Sequence, residues 1–286
     1  MTLVSIKKEL DKAIQGSYGI PLFDVFDMSS VDGVFEALEG KRAPTILGIY
    51  TSFFAAPNAE AFAAYIQTRS QHNSVPVSLM LDHGDSIEQC IKALDCGFTD
   101  VMYDGSTLPL EENIANTKQV VRAARLRGAA VEAELGHVGM GHQYDVYGAK
   151  RLGFTDPEAV EYFINETGVD MLAVAFGNAH GLYKGEPQLD LDLVREIRRR
   201  VDVPLVMHGG TGLTDDQYRE VIAAGISKIN IATVIVNTAT ERMIKVANEE
   251  KASMFSISEA VKEAFLEWCL HFYEVFGTKG KAEPEK

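Results

Sequence analysis

The sequence predicts a single-domain α/β protein built as a closed (β/α)8 barrel. Short hydrophobic segments alternate with longer amphipathic ones, and this pair recurs eight times along the 286 residues. The short segments are apolar almost throughout, as expected for parallel strands that are buried on both faces. Eight such units suit a closed TIM barrel better than an open, doubly wound sheet. The open sheet stays as an alternative, although no G-x-G-x-x-G motif follows the first strand.

The eight predicted strands are distributed evenly over the chain. In order they are Tyr18–Val25, Pro44–Tyr50, Val77–Asp82, Asp100–Asp104, Ala129–Leu135, Met171–Gly177, Pro204–His208 and Lys228–Thr233. Each is followed by a segment with helical periodicity, which is clearest in Ser86–Cys96, Glu111–Leu126, Asp156–Thr167, Leu191–Val201 and Asp215–Ala224.

Two further helices are predicted beyond the eighth strand, over Val234–Lys251 and Ile257–Phe276. They either pack against the outer helices of the barrel or form a subunit interface, and a homodimer or homotetramer is expected. Residues 1–277 are therefore assigned to one barrel domain with a C-terminal helical extension. Residues 278–286 are polar and rich in Lys and Glu, which predicts a disordered tail.

The charge and cysteine content narrow the classes of partner and compartment. The chain has 27 Lys and Arg against 41 Asp and Glu, a formal net charge of −14, which disfavours binding to nucleic acid or anionic membranes. The three cysteines form no C-x-x-C pair, which indicates a reducing compartment. No signal-peptide core and no apolar run of about 18 residues is present, so a cytoplasmic location is expected.

Polar residues stand at the ends of most predicted strands, where the active site of such a barrel lies. They are Asp82, His83, Asp104, Glu134, His180, His208, Asn230 and Thr233. Three of the seven histidines in the chain, His83, His180 and His208, occur at the same end of three strands. Neutral imidazoles suit zinc, and three protein ligands leave the open position that a catalytic metal needs. The sequence therefore predicts a zinc site with three histidine ligands.

Glycine-rich segments after strands six and seven predict an anion site beside the metal. Residues 208–212 read His-Gly-Gly-Thr-Gly, residues 178–181 read Asn-Ala-His-Gly, and residues 230–233 lead into the next helix. Glycines let backbone N–H groups approach a phosphate, and a helix N-terminus adds a favourable dipole. The alternative is that these glycines only form tight turns. A metal beside a phosphate cradle suggests enolisation or carbon–carbon cleavage of a phosphorylated carbonyl compound.

The order of these motifs resembles the class II, zinc-dependent ketose-bisphosphate aldolases, which include the fructose- and tagatose-bisphosphate aldolases. The resemblance covers nearly the whole chain and rests on Tyr18-Gly19-Ile20-Pro21, Leu81-Asp82-His83-Gly84, Asp104-Gly105-Ser106, Glu132-Ala133-Glu134-Leu135-Gly136, Ala179-His180-Gly181, His208-Gly209-Gly210-Thr211-Gly212 and Lys228-Ile229-Asn230-Ile231-Ala232-Thr233.

The resemblance implies a role for each matching residue. His83, His180 and His208 match the ligands of one zinc ion, and Asp82 matches the acid that protonates the hydroxyl oxygen on the aldehyde side. Asn230 matches the residue that holds the enediolate, Glu134 a carboxylate near the metal, and Asp104 a strand-four carboxylate. In the family, a pocket binds the phosphate group of dihydroxyacetone phosphate, and its residues are matched here by Gly181, Lys184, Gly209, Thr211 and Thr233. A monovalent cation, Na+ or K+, is expected close to that pocket.

Three departures from the family pattern bear on the substrate. Asp24 replaces the usual asparagine after the first strand and is expected to change specificity at a substrate-contacting position. The loop after strand two, Tyr50–Pro57, is bulkier and more apolar than usual. Residues 252–257 lack the Asp-Pro-Arg segment that resembles a reader of the distal phosphate, and without an arginine fork a second phosphate loses hydrogen bonds. These changes favour a ketose with one phosphate on the carbonyl side, although a 1,6-bisphosphate stays possible.

The loop after strand five departs from the family at the position of the catalytic base. Relatives carry Gly-Gly-x-Glu-Asp, whereas residues 139–145 read Gly-Met-Gly-His-Gln-Tyr-Asp. His142 is the first candidate for the base, because its unperturbed pKa lies near 6.5, and Asp145 is the second.

The predicted function is that of a zinc-dependent lyase that reversibly cleaves a phosphorylated ketose to dihydroxyacetone phosphate and an aldehyde. The altered loop leaves two alternatives, a sugar-phosphate epimerase on the same site and a catalytically impaired sugar-phosphate-binding relative. No nucleic acid or membrane partner is expected.

Overall fold

The computed structural model describes residues 3–143 and 151–282, and these ranges form a closed eight-stranded barrel surrounded by helices. The strands run in chain order from β1 to β8, all parallel, and β8 pairs back onto β1 to close the sheet. The barrel predicted from the sequence is confirmed, and the open-sheet alternative is wrong.

The observed strands coincide closely with the predicted hydrophobic segments. They are β1 (Ile20–Asp24), β2 (Thr45–Tyr50), β3 (Val77–Gly84), β4 (Asp100–Tyr103), β5 (Ala130–Leu135), β6 (Met171–Val174), β7 (Leu205–Met207) and β8 (Ile226–Ile231). Strands β6 and β7 are shorter than predicted. The residues after them, including His180 and His208, therefore lie in loops at the carboxyl mouth of the barrel.

The helices of the described residues surround this sheet. They are α1 (Lys7–Gly16), α2 (Met28–Lys41), α3 (Thr51–Phe54), α4 (Ala59–Ser70), α5 (Ile87–Asp95), α6 (Leu110–Arg125), α7 (Pro157–Thr167), α8 (Leu191–Arg200), α9 (Asp215–Ala224), α10 (Thr233–Ala247) and α11 (Met254–Val275). None of those described helices is both long enough and apolar enough to span a bilayer.

Two hydrophobic clusters stabilise the barrel. The larger lies between the sheet and the outer helices. The smaller fills the barrel interior with side chains such as Leu22, Met80 and Val206, and Ile6 and Leu10 at the start of α1 join it from below. The amino-terminal mouth is thus closed by apolar packing, which leaves the carboxyl mouth for polar chemistry.

The C-terminal helix α11 packs along the outside of the barrel against α2 and α10. Its Tyr273 ring lies edge-on to Phe23 of β1, with centroids 5.9 Å apart, and its hydroxyl is 2.7 Å from the Thr45 hydroxyl of β2. The described contacts of α11 are therefore those of a packed outer helix. The subunit interface considered from the sequence stays a prediction.

The segment after α11 differs from the disordered tail expected from residue 278 onward. The Thr278 hydroxyl donates to the Gly19 carbonyl and is fully buried. The backbone N–H groups of Gly280 and Ala282 donate to the carbonyls of Lys41 and Arg42, each at 2.9 Å. Composition did not indicate this packing because it consists mainly of hydrogen bonds from one hydroxyl and two backbone N–H groups, with a single small apolar residue, Ala282, in the core. Residues 283–286 lie outside the described residues.

Asp100, the first residue of β4, ties the N-terminal segment to the bottom of the barrel. Its fully buried carboxylate accepts hydrogen bonds from the Ser5 hydroxyl at 2.6 Å, the Ile6 N–H at 2.9 Å and the Ala130 N–H at 3.3 Å. The Ser78 hydroxyl of β3 donates to the same carboxylate. Burial raises the pKa of Asp100 from 3.8 to about 7, although these hydrogen bonds oppose the rise.

We predict that Asp100 makes the stability of the protein depend on pH. Because the pKa of Asp100 is higher in the folded state, its contribution is fully present below about pH 4 and is lost as the pH rises through about 7. Between pH 5 and pH 8, the free energy of unfolding of the wild type should fall by roughly 2 to 3 kcal/mol relative to that of Asp100→Asn. Urea unfolding of both proteins at the two pH values measures this difference.

Asp216→Asn is the matched control for this experiment, because the Asp216 side chain is 87% exposed. Its free energy of unfolding should stay within about 0.5 kcal/mol of wild type at both pH values. A difference between wild type and Asp100→Asn that does not change with pH would contradict the prediction.

Candidate active site

A cavity of about 700 Å³ opens at the carboxyl mouth of the barrel. Most residues that the sequence singled out line it: Asp24, Asp82, His83, Asp104, His180, Gly181, His208, Gly209, Thr211, Asn230 and Thr233. Glu134 is buried just behind them, where a carboxylate oxygen lies within 4.8 Å of ligand atoms of His83 and Asp104. The closed sheet brings these residues together because the carboxyl ends of parallel strands share one mouth.

Three imidazole rings converge on one point inside the cavity. The Nε2 atom of His83 lies 2.8 Å from Nδ1 of His208 and 3.2 Å from Nε2 of His180. Three tetrahedral Zn–N bonds of about 2.1 Å require nitrogens separated by roughly 3.4 Å. The three nitrogens therefore fit the first coordination shell of one metal ion with little rearrangement.

The outward-facing nitrogen of each imidazole contacts a fixed oxygen. His83 Nδ1 lies 2.8 Å from Asp104, His208 Nε2 lies 2.8 Å from Glu132, and His180 Nδ1 lies 3.3 Å from the Val138 carbonyl. Such oxygens orient metal-binding histidines and set which nitrogen carries the proton. The arrangement leaves the three converging nitrogens as lone-pair donors.

The backbone at His83 has an unusual conformation that helps to aim its ring. Its φ of 52° lies in the left-handed region, which non-glycine residues rarely adopt. The pairing of β3 with β4 is irregular between Leu81 and Gly84, which is the segment that contains His83. Strain of this kind persists where the surrounding structure holds it in place, most often at functional sites.

Buried carboxylates give the site a strongly negative environment. Burial lowers the pKa of His83, but Asp82 and Asp104 outweigh this effect and raise it to about 10. Burial and the neighbouring His83 lower the pKa of His180 to about 3 and keep that of His208 well below its usual value. The cluster thus favours one positive charge at its centre, which is the electrostatic requirement of a metal site.

The same environment acts on two of the carboxyl groups. Burial, assisted by Asp104, raises the pKa of Glu134 to about 8. Burial and the neighbouring Asp82 raise the pKa of Asp24 well above its usual value. Both carboxyls have a buried oxygen without a hydrogen-bond partner within the described residues, Oε2 of Glu134 and Oδ1 of Asp24. These buried oxygens are therefore acceptors that no described protein donor satisfies.

A second polar network beside the histidines includes two residues that the sequence reasoning did not select, Glu132 and Lys228. The Lys228 ammonium lies 2.9 Å from Glu132 and donates to Asn230 Oδ1 at 2.6 Å. Asn230 Nδ2 in turn donates to Asp82 Oδ1 at 2.7 Å. The spacing of Glu132 from Glu134 and of Lys228 from Asn230 could have revealed both residues, because residues two apart on a strand share one face.

The glycine-rich loops form the other wall of the cavity. Gly209 has a φ of 67°, and a Cβ there would lie 2.3 Å from the carbonyl of Ala179, so only glycine lets the loops after β6 and β7 approach this closely. The Tyr183 hydroxyl donates to the Gly209 carbonyl at 2.7 Å and fixes the loop. Thr211 and Thr233, the first residue of α10, line the same wall. Lys184 is exposed and is not among the lining residues.

The predicted loop base lies near the site but does not line the cavity. His142 is exposed within the short 3-10 turn Gly141–Gln143. This segment is held beside a predicted ligand, because Gly141 N–H donates to the His180 carbonyl at 2.7 Å and His180 N–H donates to the Gly139 carbonyl at 2.8 Å. Asp145, the second candidate, lies outside the described residues.

Comparison with known proteins identifies the family. A family model described as class-II fructose-bisphosphate aldolase matches residues 4–281. The chain belongs to the class II fructose-bisphosphate aldolase family. It is therefore an enzyme of the carbon–carbon lyase class, and the family implies a sugar-phosphate substrate and a metal requirement.

Individual relatives support this assignment. The chain is 41% identical to a fructose-bisphosphate aldolase of Geobacillus stearothermophilus over 238 residues, which cover 82% of each chain. It is 39% identical to a 6-phospho-5-dehydro-2-deoxy-D-gluconate aldolase of Bacillus licheniformis, over 99% of this chain and 97% of the relative. The crystal structure of the YdjI aldolase from Escherichia coli K12 superposes with a TM-score of 0.88 at 34% identity, covering 98% of this chain and 100% of that one.

We predict that Gly48 of β2 is required to accommodate Asp24. A Cβ at Gly48 would lie 2.4 Å from Asp24 Oδ1 and 2.6 Å from Leu22 Cδ2, so Gly48→Ala must displace one of these buried side chains. A loss of about 1 to 3 kcal/mol in the free energy of unfolding is expected. Chemical denaturation measures it.

The matched control is Gly40→Ala in α2, where a Cβ would meet nothing within 4 Å. An alanine in an unobstructed helix position should raise stability by up to about 1 kcal/mol. Equal effects of the two substitutions would contradict the assignment of Gly48.

Proposed function

We propose that the protein is a zinc-dependent aldolase that reversibly cleaves a ketose phosphorylated next to its carbonyl group to dihydroxyacetone phosphate and an aldehyde. The observation that carries the proposal is the convergence of the His83, His180 and His208 nitrogens beside Asp82 and Asn230. A metal ligand set, a proton donor and an amide donor therefore meet in one cavity.

The residues of the site suit a catalytic zinc ion. His83, His180 and His208 would hold it, while Glu134 is close enough to His83 to serve as an alternative ligand. Zinc bound there would polarise the ketone oxygen of the substrate and lower the energy of the enediolate. All proton transfers fall to side chains of the protein.

Asp82 is assigned the proton transfer at the hydroxyl group next to the bond that breaks. In the cleavage direction Asp82 takes the hydroxyl proton, the carbon–carbon bond breaks and an aldehyde is released. In the condensation direction Asp82 returns the proton to the new hydroxyl oxygen. Its Oδ1 accepts a hydrogen bond from Asn230, which keeps one carboxylate oxygen oriented while the other is available for the substrate.

Asn230 is assigned the role of hydrogen-bond donor to the enediolate oxygens. Its Nδ2 lies between Asp82 Oδ1 at 2.7 Å and His208 Nδ1 at 3.3 Å, next to the point on which the imidazoles converge. A donor already aimed at developing negative charge stabilises the transition state without reorganisation.

The glycine-rich wall is assigned to the phosphate group. Gly181, Gly209, Thr211 and Thr233 line it, and the N-terminus of α10 begins there. Backbone N–H groups and a helix N-terminus favour an anion at this position. Lys184 joins the pocket only if its exposed side chain turns inward. A sodium or potassium ion beside the pocket stays a prediction.

The carboxylates that line the cavity disfavour a second phosphate on the distal half of the substrate. Asp24, Asp85 and Asp104 line the cavity, whereas no arginine or lysine does so within residues 3–143 and 151–282. A second phosphate would meet repulsion there rather than a cation. The name of the Bacillus licheniformis relative describes a substrate with its phosphate on the carbon next to a ketone, so one phosphate is compatible with this family.

Removal of the carbon-bound proton from dihydroxyacetone phosphate is assigned to His142, with Asp145 as the second candidate for this base. The turn that carries His142 is hydrogen-bonded to His180, which keeps this segment close to the cavity. Movement of the loop toward the substrate would bring the imidazole to the bound ketone.

We predict zinc-dependent hydrogen exchange of dihydroxyacetone phosphate. In heavy water the zinc-loaded protein should replace one hydroxymethyl proton by deuterium, as followed by proton NMR. His208→Ala and the metal-stripped protein should lower the rate by more than about 100-fold, because a ligand of the zinc is lost.

Undiminished exchange after loss of zinc or of His208 would contradict the mechanism. His142→Gln and Asp145→Asn identify the loop base in the same assay, since only removal of the base should slow exchange while zinc stays bound. If neither substitution slows exchange, neither residue is the base.

We also predict a preference for one phosphate. The kcat/KM for cleavage of fructose 1-phosphate should exceed that for fructose 1,6-bisphosphate by about tenfold, equivalent to ~1.4 kcal/mol of repulsion. A coupled assay of dihydroxyacetone phosphate, the product common to both substrates, gives the ratio. A kcat/KM that is higher for the bisphosphate would show that the distal half of the cavity binds a phosphate.

A further inference from the structure

We infer that Glu132 and Lys228 form a positioning pair that sets the orientation of both the ligand His208 and the donor Asn230. The inference rests on the proposed function and adds two residues to it. Glu132 lies on β5 and Lys228 on β8, and both are fully buried inside the barrel. Their charged ends lie 2.9 Å apart, directly below the cavity.

Lys228 determines which end of the Asn230 amide faces Asp82. An amide has one accepting oxygen and one donating NH2 group, and an ammonium can only donate. Because Lys228 donates to Asn230 Oδ1 at 2.6 Å, the NH2 group must face Asp82 and the converging imidazoles. A rotated amide would place its oxygen against the Asp82 carboxylate and would have no donor for the substrate.

Glu132 determines which nitrogen of His208 is available to a metal. Its Oε1 lies 2.8 Å from His208 Nε2, and a carboxylate can only accept, so the proton belongs on Nε2. The Nδ1 lone pair then faces His83 and the centre of the site. The same carboxylate holds Lys228 through its other oxygen, so one buried group orients both functional residues.

A structural role alone does not account for this pair. The register partners of Glu132 on the two neighbouring strands, Met102 and Met171, are apolar members of the barrel-interior cluster. Replacing a buried ion pair by apolar side chains of similar volume is often neutral or stabilising. A charged pair at this level is therefore better explained by the two groups that it orients.

The first test is a double-mutant cycle with Lys228→Met and Asn230→Ala, read out as the exchange rate of dihydroxyacetone phosphate. Each single substitution should lower the rate by about 30- to 100-fold. If Lys228 acts through Asn230, the double variant should be at most about threefold slower than Asn230→Ala. Losses that multiply in the double variant would overturn the inference, because they would show independent effects.

Lys228→Gln is a more conservative substitution, which keeps the test possible if Lys228→Met does not fold. The glutamine is neutral, but its NH2 group can still donate to Asn230 Oδ1, so it should recover at least about tenfold of the rate lost in Lys228→Met. If Lys228→Met does not fold, Lys228→Gln takes its place in the cycle. No recovery by a folded glutamine variant would count against the amide-orienting role.

The second test measures zinc affinity by competition with a chelator and needs no substrate. Glu132→Gln should weaken zinc binding by about 10- to 100-fold, as expected for the partner of a metal-binding histidine. Lys228→Met should weaken it by less than about threefold, because the contact between Glu132 and His208 stays. Unchanged zinc affinity in Glu132→Gln would overturn the assignment of Glu132.

Glu9→Gln is the matched control for zinc binding. Glu9 is also a buried glutamate, at 7% exposure, but lies on α1 at the opposite mouth, so its substitution should leave zinc affinity unchanged. The two tests also separate the inference from the proposed function. If the zinc-loaded wild type shows no exchange, the aldolase proposal fails, and the zinc measurement still decides whether Glu132 positions His208.

Discussion

Closure of the parallel sheet is the constraint on which the site depends. Pairing of β8 with β1 brings the carboxyl ends of all strands to one mouth, so residues far apart in the chain become neighbours. His83 and His208 are separated by 125 positions, yet their ring nitrogens lie 2.8 Å apart. An open sheet would spread the same strand ends along an edge, and the imidazoles could not converge.

The two mouths of the barrel differ in polarity because different kinds of side chain fill them. At the amino-terminal mouth, α1 adds apolar side chains to the interior core, and Asp100 holds the chain that precedes this helix. At the carboxyl mouth, carboxylates and imidazoles replace the apolar layer. Their desolvation is offset by hydrogen bonds, by the buried Lys228 and, in our proposal, by a zinc ion. Negative charge is thereby concentrated where, in our proposal, a cation binds and a substrate reacts.

Membership of the class II aldolase family leaves the substrate open, and our proposal narrows it from the residues that line the cavity. The wall built from glycine-rich loops and the start of α10 suits an anion, whereas the carboxylates of Asp85 and Asp104, which also line the cavity, disfavour one. In our proposal, this difference within the cavity distinguishes the two ends of the substrate. The altered loop at residues 139–145 carries the proposed base and none of the three proposed metal ligands.

The sequence by itself determined the barrel, the strand order and the candidate site residues, most of which line the cavity, because hydrophobic periodicity and polar strand ends are local patterns. It did not reveal that Glu132 and Lys228 form a pair, since the contact between two charges on different strands exists only in the folded barrel. The packing of Thr278–Ala282 was also missed, because the Thr278 hydroxyl and two backbone N–H groups make those hydrogen bonds to residues distant in the chain. The left-handed conformation of His83 was not predicted either. Tertiary structure decided these features because each depends on contacts between residues distant in the chain.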